Sequence, residues 1–345
     1  MNRFIRLFES GIKKNMTNHF NIYLQYKKRV DEILSGSVKK QIPESLYDPL
    51  KYVLNSGGKR IRPIMIMISC EAAGGNPEDA LNAGVAIEML HNFTLVHDDI
   101  MDNADTRRGS PTVHKKWNEN VAILTGDHLI GMAYSYLLKT RSDRLDEIVK
   151  TFTDGIIEVC EGQSFDKEFE DRKDVTLDEY MMMISKKTAK MLETSAVVGA
   201  LIGNGSKELV ENIRNYASNI GLAFQIQDDL LDITADETEF GKKIGGDLVE
   251  GKKTYLLIKA MEVVSEDKDR SKIMNIVNKT GLSPNDTEAV SEIKNIYIKY
   301  GIIDSAQKEI EHYTNLADKF LNTLSEGESK ERLKWFSGML MGRSF

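Results

Sequence analysis

Two stretches of the chain are apolar nearly all the way round a helix. One runs from Ala80 to Met101 through Leu81, Val85, Ile87, Met89, Leu90, Phe93, Leu95 and Val96, the other from Ala217 to Ile233 through Ile220, Leu222, Phe224, Ile226, Leu230 and Leu231. A helix without a polar face is surrounded by other elements, so both are predicted in the middle of a helical bundle. Asn76-Pro77-Glu78-Asp79 gives the first an N-cap, a proline at the first helical position and acids in the first turn, and the helix is expected to reach about Asn103. Thr176 with Glu179 forms a capping box before a segment reaching about Gly203. Gly36, Gly57-Gly58, Gly74-Gly75, Gly205 and Gly301 mark further helix stops. No β-hairpin signal, fixed-period repeat or low-complexity linker is found.

Composition agrees with long helices, since only 6 of 345 residues are proline. An apolar share of 41% and a charged share of 29% exclude wholesale disorder and leave enough apolar residues for a sizeable core. The length admits two domains or one large helical domain, and 17–345 is read as one all-helical domain. No apolar run approaches the roughly 18 residues of a spanning helix. A net charge of −7 argues against a nucleic-acid partner, whose phosphates call for basic groups. Cys70 and Cys160 fit neither a metal-ligand spacing nor a disulfide framework, which points to a reducing compartment, the cytoplasm. Residues 1–16 carry Arg3, Arg6, Lys13 and Lys14 among Phe4, Ile5, Leu7 and Phe8; they are read as a basic, amphipathic, frayed or weakly membrane-touching leader.

Both apolar helices end in aspartates, which is costly at a buried helix end unless something compensates the charge. The clusters are Asp98-Asp99-Ile100-Met101-Asp102 and Asp228-Asp229-Leu230-Leu231-Asp232. On a helix, Asp98 and Asp102 share a face while Asp99 turns about 100° away, and the second cluster repeats the pattern. Like charges at this spacing repel. A divalent cation turns that repulsion into binding, carboxylate oxygens with retained water suit magnesium, and the helix C-terminus adds its own attraction.

Basic residues crowd the same neighbourhoods: Arg107 and Arg108 after the first cluster, Lys242, Lys243, Lys252 and Lys253 after the second, and Lys59, Arg60 and Arg62 in the turn Gly57-Gly58-Lys59-Arg60-Ile61-Arg62-Pro63. Metal-holding carboxylates beside such cations describe a site for a polyanion such as diphosphate. Solvated surface lysines are the competing explanation for Lys243 and Lys253. Gly246 to Lys252 matches most of a phosphate-binding loop, but Lys253 stands where Ser or Thr should ligate magnesium and no strand precedes it. His97-Asp98, with His91 and His128, also resembles a helical metal-dependent phosphohydrolase, a reading that leaves the second cluster unexplained. His91 lies seven residues before Asp98, two turns earlier on the same face. The chain has six histidines, His19, His91, His97, His114, His128 and His312, and a lone histidine on a buried helix is more often a hydrogen-bonded core residue than a ligand.

Taken together, these residues resemble the trans-isoprenyl diphosphate synthases. The resemblance rests on Gly57-Gly58-Lys59-Arg60-Ile61-Arg62-Pro63, on His97-Asp98-Asp99-Ile100-Met101-Asp102 with Arg107-Arg108-Gly109, on Lys187-Thr188, and on Phe224 to Asp232 followed by Gly241-Lys242, all in family order over about residues 45 to 260. It implies an all-α antiparallel bundle around an apolar cavity, forming a homodimer. It further implies head-to-tail condensation of isopentenyl diphosphate with an allylic diphosphate (dimethylallyl, geranyl or farnesyl), dependent on Mg2+, with three ions per active site. On matching positions, Lys59, Arg62, His91 and Arg108 would hold isopentenyl diphosphate. Asp98, Asp102 and Asp228 would bind the metal. Arg107, Lys187, Lys242 and Lys252 would cradle the allylic diphosphate, with Thr188 and Gln225 beside the allylic carbon. Phe93 and Thr94, five and four residues before Asp98, would set product length at C20, with Ser69 and Cys70 shaping a neighbouring wall. A C15 or C25 product, a catalytically silent partner subunit of a heteromeric synthase, and a head-to-head synthase are the other readings; the last would lack the isopentenyl site of Lys59 and Arg62.

Overall fold

A computed structural model describes residues 12–235, 245–278 and 287–342. Lys242, Lys243 and most of the leader lie outside the described residues. The chain divides into two compact units. The first holds the described residues of Met1–Thr153, together with Thr194–Ile213 and Ser325–Trp335; the second holds Asp154–Glu193, the described residues of Arg214–Leu324, and those following Trp335.

In order, the helices are α1 (Ile12–Gly36), α2 (Glu44–Leu54), α3 (Ile61–Ala72), α4 (Leu81–Met101), α5 (Val113–Lys116), α6 (Glu119–Leu137), α7 (Leu145–Asp171), α8 (Leu177–Ile184), α9 (Lys190–Ile202), α10 (Lys207–Thr234), α11 (Gly246–Glu250), α12 (Tyr255–Val263), α13 (Asp267–Val277), α14 (Thr287–Lys299), α15 (Ile302–Leu321) and α16 (Glu328–Gly342). The expected all-helical fold is therefore observed. In the first unit α4 packs along α6 and α3. It buries residues on every side, from Leu81 and Ala83 through Leu90 and on to Asn92, Phe93, Val96 and Asp99. No residue of Ala217–Ile233 is fully exposed, so the second apolar helix is central within its own unit. There its Ile226 and Leu230 join a core with Phe169, Tyr180, Tyr255, Leu257, Ile293 and Tyr297.

Helix ends follow the expected chemistry with local differences. The Asn76 side chain caps a short 3-10 turn, Pro77–Ala80, that leads into α4. At its far end the amide of Asn103 donates to the Ile100 carbonyl (3.1 Å) and that of Ala104 to the Asp99 carbonyl (2.9 Å), with Asn103 at φ 49°. This paired closure stops the helix directly behind Asp98 and Asp102. After α9 the left-handed residue is Asn204, at φ 58°, rather than Gly205, because asparagine tolerates that region. Two expectations are corrected. The segment opened by the Thr176–Glu179 capping box is interrupted by a π-helical turn, Ser185–Ala189. A small hairpin pairs Thr106–Arg107 with Ser110–Pro111, and Arg108 (φ 52°) and Gly109 (φ 75°) supply the two positive φ values of its turn. Arginine rarely fills such a turn, so residue type gave no hairpin signal.

Candidate active site

The first unit gathers cations around the Gly57–Arg62 turn. Gly57 (φ 74°) and Gly58 (φ 144°) let the backbone fold against the Arg108 side chain: a methyl on Gly58 would sit 3.1 Å from the guanidinium. Arg108 donates to the Gly57 carbonyl and to Ser56 Oγ. The three basic residues of the turn have different fates. Lys59 is exposed, while Arg60, 3% exposed, is consumed internally by Asp31 Oδ1 (2.7 Å) and Glu88 Oε1 (2.7 Å). Arg62 has a buried Nε with no hydrogen-bond partner. Burial, above all, and the charge of Arg108 push its pKa down, against the pull of Glu88. His91 sits in the same field: burial first, then Arg62, Arg108 and Arg107, hold its pKa well below the usual 6.5, so the ring is neutral. A partly buried Arg62 with an unmatched Nε, facing the exposed Arg108, suits an anionic ligand.

Because Arg60 is committed and Arg62 is not, Arg60→Met is expected to destabilise the fold by about 3 kcal/mol, since it strands the buried Glu88 carboxylate. Urea unfolding of the variant measures this. An unchanged midpoint would show that Glu88 has another adequate partner.

Asp98 and Asp102 sit half-buried at the end of α4, joined through the Asp102 amide and the Asp98 carbonyl (2.8 Å). Asp99 faces elsewhere, as the 100° rotation predicts, and holds Arg107 through Nε (2.8 Å) and Nη2 (2.7 Å). Sequence reasoning missed this pairing, although the rotation of Asp99 was its signal. Asp99, Arg107 and Arg108 also border a cavity of about 610 Å³ together with Tyr52, Lys116 and Trp117. Phe93, five residues before Asp98, is 8% exposed and meets His97 edge-on at 4.9 Å between ring centres. His97 Nε2 lies 3.1 Å from the Ile123 carbonyl oxygen, and any side chain at Gly126 would overlap its ring. His97 is thus engaged in packing, which weakens the His-Asp phosphohydrolase reading. Thr94 Oγ1 donates to the His91 carbonyl (2.8 Å). Ser69 and Cys70 are fully buried, beside Gly199 and beside Gly75 and Gly203 respectively, so both are spent on helix contacts. His128 packs edge-on against Tyr47.

The second unit brings together Lys187, Thr188, Gln225, Asp228 and Lys252 around a pocket of about 180 Å³, with Asp166, Tyr180, Asp229, Asp247 and Lys253. Lys187 Nζ bonds to Asp166 Oδ2. Thr188 Oγ1 donates to Gln225 Oε1 (2.8 Å), and Gln225 Nε2 to Asp229 Oδ1 (2.9 Å). The other Asp229 oxygen accepts from Tyr180 Oη (2.6 Å) and the Tyr255 amide (3.0 Å). Burial, then Asp247, push the Asp229 carboxyl up to about 7; the same two causes raise Asp232 to about 7. Asp247 was missed in the sequence because it lies outside both pentads. The neighbouring lysines are separated by the fold: Lys253, 4% exposed, points at the Gly251 (3.2 Å) and Glu170 (3.4 Å) carbonyl oxygens, whereas Lys252 reaches Glu250 (2.7 Å) and Asp247 (3.7 Å). Gly246–Glu250 is a short helix between left-handed Gly245 and Gly251, and Lys253, where Ser or Thr should ligate magnesium, is buried against main-chain carbonyl oxygens, which does not suit the nucleotide-loop reading.

Among the described residues no three His, Cys, Asp or Glu side chains form a ready-made metal cage. The donor set still fits a hard divalent cation. The carboxylates are oxygen donors, and at Asp229 and Asp232 burial and the charge of Asp247 favour protonation unless a cation supplies the opposing charge. Ions that keep water and ligand oxygens need only one or two protein carboxylates each. No described helix is long and apolar enough to cross a membrane.

The polyprenyl synthetase family model matches residues 43–297. A short chain isoprenyl diphosphate synthase of Methanothermobacter thermautotrophicus is 38% identical over 329 residues, covering 95% of this chain and 99% of that protein. A geranylgeranyl diphosphate synthase of Sulfolobus acidocaldarius is 41% identical over 312 residues, covering 89% and 92%. The crystal structure of geranylgeranyl pyrophosphate synthetase from Pyrococcus horikoshii superposes with a TM-score of 0.87 at 35% identity, covering 94% of this chain and 99% of that one. With the aspartate pentads, the Gly57–Arg62 turn and the Lys187-Thr188 pair placed as described, the chain belongs to the polyprenyl synthetase family of trans-isoprenyl diphosphate synthases, enzymes that elongate prenyl chains.

Proposed function

We propose that the protein condenses isopentenyl diphosphate head-to-tail with allylic diphosphates and releases geranylgeranyl diphosphate, the C20 product. The observation that carries the isopentenyl half is the buried, partnerless Arg62 Nε beside Arg108 and neutral His91. These three, with Lys59, bind the diphosphate of isopentenyl diphosphate and hold its double bond in place, which converts an encounter into an effectively intramolecular step. Asp98 and Asp102 would hold Mg2+ at the end of α4 and Asp228 would hold it at the end of α10, with three ions expected in total. Bound magnesium acts as a Lewis acid on the departing diphosphate. Arg107, Lys187 and Lys252, with Lys242, neutralise the same leaving group by direct contact. The allylic carbon–oxygen bond breaks with its electron pair going to diphosphate. The double bond attacks the resulting cation, and a proton leaves, taken up by the released diphosphate. Thr188 and Gln225, hydrogen-bonded to each other, would supply the oxygen dipoles that steady that cation. Apolar walls keep water from it. The enzyme works as a homodimer in the cytoplasm.

The length reading rests on Phe93, which is held edge-on by His97. Purified protein incubated with magnesium, labelled isopentenyl diphosphate and the C5, C10 or C15 primer should extend each to C20. A different stopping length would keep the reaction and sink the role of Phe93; no extension by folded protein would sink both. Phe93→Ala is expected to lengthen the product by one or more C5 units, because it removes a ring from a buried wall. Chromatography of dephosphorylated products reads this, and an unchanged C20 product would assign Phe93 to packing alone.

A further inference from the structure

The turn that carries Lys187 and Thr188 is π-helical over Ser185–Ala189, between α8 and α9. A π turn is a one-residue widening of a helix that ordinary helical packing does not favour, so its persistence calls for neighbours that hold it open. Two glycines meet it, each from a different helix. A methyl built on Gly162 of α7 would overlap the Lys187 amide nitrogen and lie 2.7 Å from the Lys187 Cα. One built on Gly221 of α10 would lie 2.5 Å from the Ala189 Cα and 2.7 Å from its Cβ. Glycine inside a helix costs about 1 kcal/mol relative to alanine, so two of them at backbone contact with one turn indicate a packing demand.

Each helix repeats the same arrangement four residues later, on the same face. Asp166, four beyond Gly162, bonds to Lys187; Gln225, four beyond Gly221, bonds to Thr188 Oγ1 at 2.8 Å. Glycine sets the distance of the turn's backbone, and the following polar residue aims its side chain.

We infer that Gly162 and Gly221 are positioning residues for prenyl transfer, a two-sided backbone clamp that keeps the π turn open and aims Lys187 and Thr188 into the pocket. The inference rests on the reading that these two side chains serve the allylic diphosphate. Gly162→Ala and Gly221→Ala are each expected to lower kcat at least 30-fold while the KM for isopentenyl diphosphate, whose binding residues lie in the first unit, stays within twofold. Gly338→Ala, at an exposed helical glycine with open space around it, serves as the control and should keep wild-type rates. Deletion of Lys186, which removes the extra residue of the turn, should give a folded protein with its activity lost, and adding Gly162→Ala to it should bring no further loss of Tm. Folded Gly162→Ala or Gly221→Ala proteins with kcat within threefold of wild type would overturn the clamp, as would a deletion variant that stays active. Should Gly162→Ala not fold, Gly221→Ala and the deletion decide the matter. Lys187→Ala and Thr188→Ala separate the two layers: if both keep full activity the underlying reading fails, and if they lose it while the glycine variants do not, only the clamp fails.

Discussion

Asp98→Ala is expected to reduce turnover by about 10³-fold or more, about 4 kcal/mol of transition-state stabilisation, while the protein stays folded. Asp98 sits in the last turn of α4, with Asp102 on the same face and Asp99 diverted to Arg107. The carboxylate that would be lost is one of the two that share this face of the helix end. In the metal-free protein its removal relieves like-charge repulsion of about 0.2–0.5 kcal/mol at the four-residue spacing, so the melting temperature should hold or rise slightly. Magnesium with a non-hydrolysable diphosphate analogue should raise the Tm of the wild type by several degrees and that of the variant by much less. Rates within tenfold of wild type, or a variant that fails to unfold cooperatively, would make Asp98 a structural residue.

Arg62→Met should separate function from stability in the opposite sense to Arg60→Met. Arg62 is desolvated, repelled by Arg108 and left with an orphaned Nε; Glu88, the nearest opposing charge, is already bonded to Arg60. Replacing such a cation with an apolar side chain of similar length is expected to be neutral or stabilising by about 1 kcal/mol, a Tm gain of about 1–2 °C for a chain of this size. The KM for isopentenyl diphosphate should rise about 100-fold, the loss of one charge-assisted contact of about 2–3 kcal/mol. Calorimetry without ligand and steady-state kinetics at varied isopentenyl diphosphate read the two effects separately. A fall in Tm would show that the folded state uses the Arg62 charge, and an unchanged KM would remove Arg62 from the diphosphate site.

The contrast between Arg60 and Arg62 shows where sequence reasoning stops. Both lie in one basic turn and look equivalent as letters, but only the fold places Asp31 and Glu88 against one of them. Lys252 and Lys253 are divided in the same way, by which of them meets main-chain carbonyl oxygens and which meets carboxylates.

Local periodicity determined a good deal. The two apolar helices, their aspartate ends, the Asn76 and Thr176 caps and the rotation of Asp99 away from Asp98 all follow from 3.6 residues per turn and from side chains satisfying the backbone groups at helix ends. Those signals span a few residues, so the sequence alone carries them. The π turn under Lys187 and Thr188, the pairing of Arg107 with Asp99, the hairpin turned on Arg108 and the addition of Asp247 to the second aspartate group were decided by tertiary structure. Each depends on contacts between groups far apart in the chain or on backbone held in an uncommon conformation by its neighbours, and neither leaves a periodic trace in the sequence.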